Sequence, residues 1–342
     1  MHTTLKQYEN DPYEMRAFLY LDVLSWLESK IENRPVAEVI KAKAEALIDN
    51  KLGNHLTKET SNFRHILEIN LAMVFIATSG PLGRYIQLSP ELIIMFRGFI
   101  AALFLGVFIF WRKTPLRIEK KDYPAVFGGG VLMGMHWVLY FYALQLSNVA
   151  IGMLSIFTYP VITSLLEPLI LKTKFHKIHI FLALLVLFGL YLLVPEFDIE
   201  SDYTVAIILG VISALCYALR NLIMKTKVHK YEGTTLMWYQ NIAVSVCLLP
   251  LLFLDADWSA IQTQIPYIVL LALLTTAIGH TMFLYSFKHF SVTTASLMSS
   301  AQPIYGIILG MLFLSEVPNI QTILGGCLIL ISVVIESRRA VT

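Results

Sequence analysis

From Ile66 onward the chain is a succession of apolar stretches, at 66–84, 90–111, 124–145, 149–171, 178–195, 203–224, 234–254, 266–287, 292–314 and 318–336. A helix needs about 20 mostly apolar residues to cross the hydrocarbon core of a bilayer. Ten such stretches predict an all-α polytopic membrane protein. Composition closes off the alternative: only 15% of residues are charged and 56% are apolar, whereas a soluble domain carries roughly 25% charged residues. Too little polar surface is available to cover this chain in water. A soluble enzyme, a disordered scaffold and a nucleic-acid-binding protein are all excluded. The net charge of +2 forms no basic patch that could release counterions from a polyanion.

Residues 1–62 are different in character: ionisable groups are dense and no spanning stretch occurs. Phe18, Leu21, Leu24, Leu27 and Ile31 recur at helical spacing, and a second periodic run starts at Pro35 and continues through Val36, Val39, Ile40 and Leu47. With Gly53 as a stop, the segment reads as a short cytosolic helical hairpin whose role is open. The opening from Met1 to Asp11 is polar and lacks the pattern of a secretory signal. Several connections between spans are only a few residues long, so neighbouring helices run antiparallel. The even-numbered loops and the tail carry Arg112, Lys113, Arg117, Lys120, Lys121, Lys172, Lys174, Lys177, Lys225, Lys227, Lys230, Lys288, Arg338 and Arg339. The odd-numbered loops carry mainly acids: Glu196, Asp198, Glu200, Asp202, Asp255 and Asp257, with Arg84 at a helix edge. Lys and Arg collect on the cytoplasmic side, which predicts both termini inside.

The chain also repeats. A shift of 143 residues aligns Met95-Phe96-Arg97-Gly98 with Trp238-Tyr239-Gln240-Asn241, Tyr142 with Tyr285, Val149 with Val292, Pro160 with Pro303 and Leu171 with Leu314. Each repeat holds five spans, at 66–197 and 203–337, and an odd number inserts the second copy upside down. Inverted repeats of this kind build a substrate path at their interface, opened to either side by rocking one half against the other.

The residues Ser89-Pro90-Glu91-Leu92 through Arg97, then Pro303, Ser315-Glu316 and Gly325-Gly326-Cys327-Leu328-Ile329-Leu330, resemble the drug/metabolite transporter superfamily, EamA type. The resemblance covers about residues 66–336. It implies ten helices in two inverted five-helix repeats, a central cavity and secondary transport of a small molecule, often by proton exchange. Two positions depart from the internal match: Thr173 stands opposite Glu316, and Gln240 opposite Arg97.

Candidate site residues follow from what is costly inside a membrane. Arg97 lies about two turns into an apolar helix, where a charge costs roughly 2.5–3.5 kcal/mol on insertion scales. It ties helices together through carbonyls, contacts an anionic substrate group, or snorkels to the headgroups. His136 and His280 lie at nearly equivalent places in the two repeats. Each is a proton carrier or a neutral core residue. Trp137 and Tyr140 accompany His136 on the cavity edge. Thr158-Tyr159-Pro160 and Gln302-Pro303 match in the fourth and ninth spans, where proline frees a backbone carbonyl and kinks the helix. Tyr159, Gln302 and Tyr305 are the polar groups placed near the site, with ordinary kinks as the alternative. Arg220 and Asn221 interrupt the sixth span with Tyr217 one turn earlier, and the first expectation for Arg220 is an interfacial, snorkelling side chain beside Lys225. Glu167 and Glu316 are expected at helix ends. Gly130 and Gly134, like Gly306 and Gly310, are small-residue pairs that permit close helix approach.

No cofactor is implied. Gly128-Gly129-Gly130 lacks the Lys-Ser/Thr of a phosphate loop, no cluster has metal-ligand spacing, and Cys216, Cys247 and Cys327 read as small apolar residues. The sequence reads as a bacterial inner-membrane exporter of a small organic metabolite, amino-acid-like or drug-like. Lipid is its solvent, protons are its coupling ion, and pairing of two copies is left open. Two rivals stand beside it: a membrane sensor or scaffold signalling through the amino-terminal hairpin, and a membrane-embedded lipid-modifying enzyme.

Overall fold

The computed structural model describes residues 65–172, 177–193, 201–253, 258–299 and 301–341; the expected hairpin at 1–62 lies outside them. The described residues are helical, with no strand among them. Eight helices are long and apolar enough to cross a bilayer: α1 (His65–Tyr85), α2 (Pro90–Arg112), α3 (Lys120–Leu146), α4 (Val149–Leu171), α6 (Asp202–Lys225), α7 (Gly233–Phe253), α8 (Trp258–Ser286) and α9 (Val292–Leu314). Two more, α5 (Ile178–Leu193) and α10 (Ile320–Val341), carry shorter apolar segments, Ile180–Leu193 and Ile320–Ser332.

Local chemistry sets the boundaries. Pro90 opens α2 at a position where its missing N–H costs nothing. The Asn148 side chain accepts from Ile151 N at 2.9 Å and caps the start of α4. Lys113, Lys172 and Ser315 adopt positive φ values of 53°, 56° and 57° and end α2, α4 and α9 in the left-handed turn that usually requires glycine. Outside, the surface is apolar: Phe110 is 87% exposed and Leu312 72%. A soluble monomer rarely leaves such large contiguous apolar patches uncovered, so lipid is their partner.

Helices pack in pairs, most extensively α3 with α6, α2 with α7 and α5 with α10. The α3–α7 contact depends on Gly130. A methyl group there would stand 2.7 Å from the Ala243 Cβ and 3.0 Å from the Gln240 backbone. Gly130→Ala is therefore expected to force α3 and α7 apart and cost about 1–3 kcal/mol. Gly128→Ala, whose added carbon meets nothing within 4 Å, should be neutral. Thermal melts of the two purified variants check this, and equal melting temperatures would refute it. Gly306 and Gly310 play the same part, lying against Met153 and Val149.

Acidic side chains tie the bundle at both ends. Glu316 accepts from Arg84 Nε at 3.1 Å and from Val149 N at 2.8 Å, fixing the end of α9 onto the start of α4. The reciprocal role at the start of α9 falls to Glu167, which is buried and accepts from both Thr293 N and Thr293 Oγ1. The sequence comparison looked for this acid at Thr173; the chain supplies it from inside α4 instead. A carboxylate at an exposed helix start satisfies orphan N–H groups and complements the helix dipole.

At the lysine-rich end, Asp122 binds Lys227 at 2.7 Å, Lys230 at 2.9 Å and the Tyr231 hydroxyl at 2.6 Å, while Glu119 meets Lys230 at 2.6 Å. This joins the α2–α3 connection to the α6–α7 connection. The Lys230 ammonium holds the Glu119 carboxyl below its usual range, and Glu119, then Asp122, raise Lys230 above its own. Glu119 therefore loses its contribution as pH falls through its depressed value, and Lys230 loses its own as pH rises through its raised value. The cluster is intact throughout the neutral range. Asp122→Asn should release both lysines and speed tryptic cleavage after Lys227 and Lys230 roughly two- to fivefold at pH 8. An unchanged cleavage rate would show that the lysines are not held by Asp122.

Candidate functional site

The polar groups of the bundle interior gather where α1, α2, α3, α4, α6, α8 and α9 meet. Three features of the backbone make room for them. α4 is interrupted by a turn at Phe157-Thr158, just before Tyr159-Pro160. In α9 the Ser299 carbonyl, which cannot receive an N–H from Pro303, accepts from Gln302 N at 2.9 Å. In addition, α8 widens into a π-helical segment over Ala272–His280, a geometry that favours functional sites over plain packing. Thr276 and His280 lie on that segment.

Arg97 lies at the centre and is 0% exposed. Its Nε donates to Thr276 Oγ1 at 2.7 Å, and its guanidinium carbon stands 4.0 Å above the Trp137 ring and 5.8 Å from Phe141. Among the described residues no group accepts from Nη1 or Nη2. The snorkelling alternative for Arg97 is therefore corrected: the side chain turns inward to a hydroxyl and an indole face rather than out to headgroups. Among the described residues no carboxylate pairs with it.

Trp137 Nε1 points at His280 Nε2, 3.4 Å away. An indole N–H can only donate, so Nε2 accepts and neutral His280 carries its proton on Nδ1, which has no partner among the described residues. His136 is arranged differently. Its Nδ1 faces both the Ser213 carbonyl at 3.3 Å and Ser213 Oγ at 2.9 Å. A carbonyl only accepts, so the His136 proton resides on Nδ1, while Ser213 Oγ donates back to His136 O at 2.7 Å. His136 stacks on Tyr217 with ring centroids 4.3 Å apart, and Tyr217 meets Tyr159 edge-on at 4.9 Å. The Tyr159 hydroxyl reaches Ser299 Oγ and, at 3.4 Å, the Ser296 carbonyl.

These side chains enclose one space. Arg97, His136, Trp137, Tyr140, Tyr159, Tyr217, His280 and Gln302 all line it, with Ile76, Ser79, Ile156 and Phe157. Tyr305 does not. It lies one turn beyond Gln302, half-buried against the hydrophobic core. The volume open to the centre of a water molecule is about 20 Å³, room for one or two waters, so an organic molecule enters only when the helices part.

Arg220 also departs from its expectation. It is 0% exposed and donates to Gln240 Oε1 at 2.7 Å, Asn221 Oδ1 at 2.9 Å and the Met237 sulfur at 2.9 Å. It is an interior residue with all three nitrogens engaged, because Gln240 and Asn221 provide the acceptors that headgroups would otherwise supply. Thr276 and Ser213 were missed by sequence reasoning. Each lies four residues before a chosen residue, His280 and Tyr217, so hydroxyls at helical spacing from an unusual residue were the available signal.

The EamA-like transporter family model matches residues 64–194 and again 204–338. The pseudopaline exporter CntI of Pseudomonas aeruginosa (strain UCBPP-PA14) is 24% identical over 247 residues, 72% of this chain and 85% of that protein. An uncharacterized transporter of Archaeoglobus fulgidus is 26% identical over 73% of this chain and 87% of its own length. The uncharacterized transporter YwfM of Bacillus subtilis is 22% identical over 69% and 80% respectively. One solved crystal structure aligns over 81% of this chain and 97% of its own at a TM-score of 0.62 and 17% identity, a likeness of fold.

Proposed function

Because this multi-pass membrane protein belongs to the EamA-like transporter family, we propose that it exports a small organic metabolite by alternating access, in exchange for protons. The observation that carries the reading is the shared interior site: its lining comes from α1–α4 in one half of the chain and from α6, α8 and α9 in the other. A site built by both halves changes its access when one half tilts against the other.

Several features support two inverted five-helix halves, at 66–197 and 203–337, and ten spans that include the shorter α5 and α10. The family model matches the chain twice. The bounds of α4, Val149–Leu171, reappear 143 residues on as those of α9, Val292–Leu314. Trp137 and His280 are themselves 143 residues apart and touch. Residues related by a pseudo-twofold axis meet only on that axis, so this contact supports an axis passing between the two rings. The loop-charge asymmetry supports both termini inside, with the Asp122 cluster on the cytoplasmic face of a bacterial inner membrane. The export direction is supported by the relative named a pseudopaline exporter. His136 and His280 are the proton carriers in this reading, and no enzymatic step is assigned.

Flux into sealed proteoliposomes from a pooled metabolite extract under an imposed pH gradient, with Arg97→Ala as control, tests the proposal. Compounds that accumulate only with the wild-type protein, and only while the gradient lasts, are the expected result. Accumulation indifferent to the gradient would remove the proton role of His136 and His280. No protein-dependent flux from a verified folded sample would overturn the reading.

A further inference from the structure

The interior site has a surplus of donors, and the positive charge of Arg97 has no carboxylate partner among the described residues. Arginine stays protonated even when buried, and Arg97 Nη1 and Nη2 have no acceptor among the described residues. Its neighbour across Trp137, His280, presents an Nδ1–H that is equally unmatched. The second buried guanidinium does not line the cavity, and each nitrogen of Arg220 already donates, to Gln240, Asn221 and Met237. A buried polar group without a partner costs about 1–3 kcal/mol, more when charged, and a set of such groups converging on one cavity marks what the cavity is built to receive.

From this we infer that the transported molecule carries a carboxylate, which accepts from Nη1 and Nη2 of Arg97 and from Nδ1–H of His280. The inference rests on the transport reading for the word "transported"; the binding contact itself does not. Geometry selects the carboxylate. Trp137 covers one face of the guanidinium at 4.0 Å and Thr276 holds Nε at 2.7 Å. What stays open is the Nη edge, in the guanidinium plane, and a planar two-oxygen acceptor matches that edge bidentately. Charge selects it as well. Arg97 alone brings unmatched cationic nitrogens to the cavity lining, and their planar pair fits one carboxylate; Arg220, whose charge is likewise met only by neutral groups, stands outside the lining. The rest of the ligand meets aromatic walls, Tyr159, Tyr217 and Phe157, which suit an apolar or unsaturated body.

The test uses the purified full-length chain and two probes: a pooled metabolite extract, and the same extract after carbodiimide coupling to methylamine, which converts each carboxylate to a neutral amide. Melting temperature reads binding. The native extract should raise it, and the amidated extract should need about tenfold or more higher concentration for the same rise. Arg97→Gln should abolish the difference. Equal stabilisation by both extracts, no stabilisation by either, or an Arg97→Gln protein that still prefers the native extract would overturn the proposal. The extract comparison needs no variant, so a misfolded Arg97→Gln protein leaves the test intact. Flux in proteoliposomes, run with the same two extracts, separates the two readings. Flux from the amidated extract alone would refute the carboxylate and keep the transporter. Carboxylate-dependent stabilisation without flux would keep the site and remove the transporter.

Discussion

Arg97→Met is expected to leave the folded protein within about 1 kcal/mol of wild-type stability while transport falls at least about tenfold. The two halves of that expectation have one cause. Arg97 makes one hydrogen bond, to Thr276, and one stacking contact, with Trp137. Those favourable contacts contribute about 1.5–3 kcal/mol for the charged hydrogen bond and about 2 kcal/mol for a desolvated cation–π pair. Against them stand two unpaired nitrogens, at about 1–3 kcal/mol each. The opposing terms nearly cancel, so methionine, shorter but flexible and uncharged, replaces them at little net cost, and Thr276 Oγ1 keeps Thr275 Oγ1 as a neighbour at 3.4 Å. Function does not cancel, because in the carboxylate proposal the Nη edge is what the substrate meets. Thermal unfolding in the same detergent and flux in proteoliposomes measure the pair of effects. A variant that loses several kcal/mol of stability would identify Arg97 as a helix tie instead.

Arg220→Met should do the opposite. Here every guanidinium nitrogen is engaged, so its removal strands Gln240 Oε1 and Asn221 Oδ1 in the interior. Each stranded acceptor costs about 1–3 kcal/mol, and breaking a buried charged network falls in the same range or above it, for a total loss of about 2–5 kcal/mol. The loss should appear as a lower melting temperature and a lower folded yield. Replacing Arg220 and Gln240 together by apolar residues of similar size should recover part of it, because no acceptor at Gln240 is then left behind. If Arg220→Met melts with the wild type, the network is not what holds α6 to α7.

The two arginines also show where reading a sequence stops. Both lie inside apolar runs, and a charge in such a run is legible as an anomaly from the chain alone. What each one does depends on the acceptors that other helices bring within 3 Å: Thr276, 179 residues away, for Arg97, and Gln240, 20 residues on in the next helix, for Arg220. The same limit explains Tyr305. Helical spacing places it near Gln302, but Gln302 lines the cavity while Tyr305, one turn further along the same helix, packs against the core. Glu167 likewise reads as an interfacial residue until Thr293 is found against it.

Hydropathy and spacing, by themselves, determined that this chain is a helical membrane protein, where its spans begin and end to within a few residues for most of them, and which buried residues are too costly to be incidental. The reason is that a bilayer offers no hydrogen bonds, so each span must satisfy its own backbone and must be apolar over its whole length; that constraint is local and is written locally. The tertiary structure decided which of the costly residues meet, which nitrogens stay unpaired and how little space they enclose. Those properties belong to contacts between helices, whose faces, breaks and π-helical turn no single span encodes.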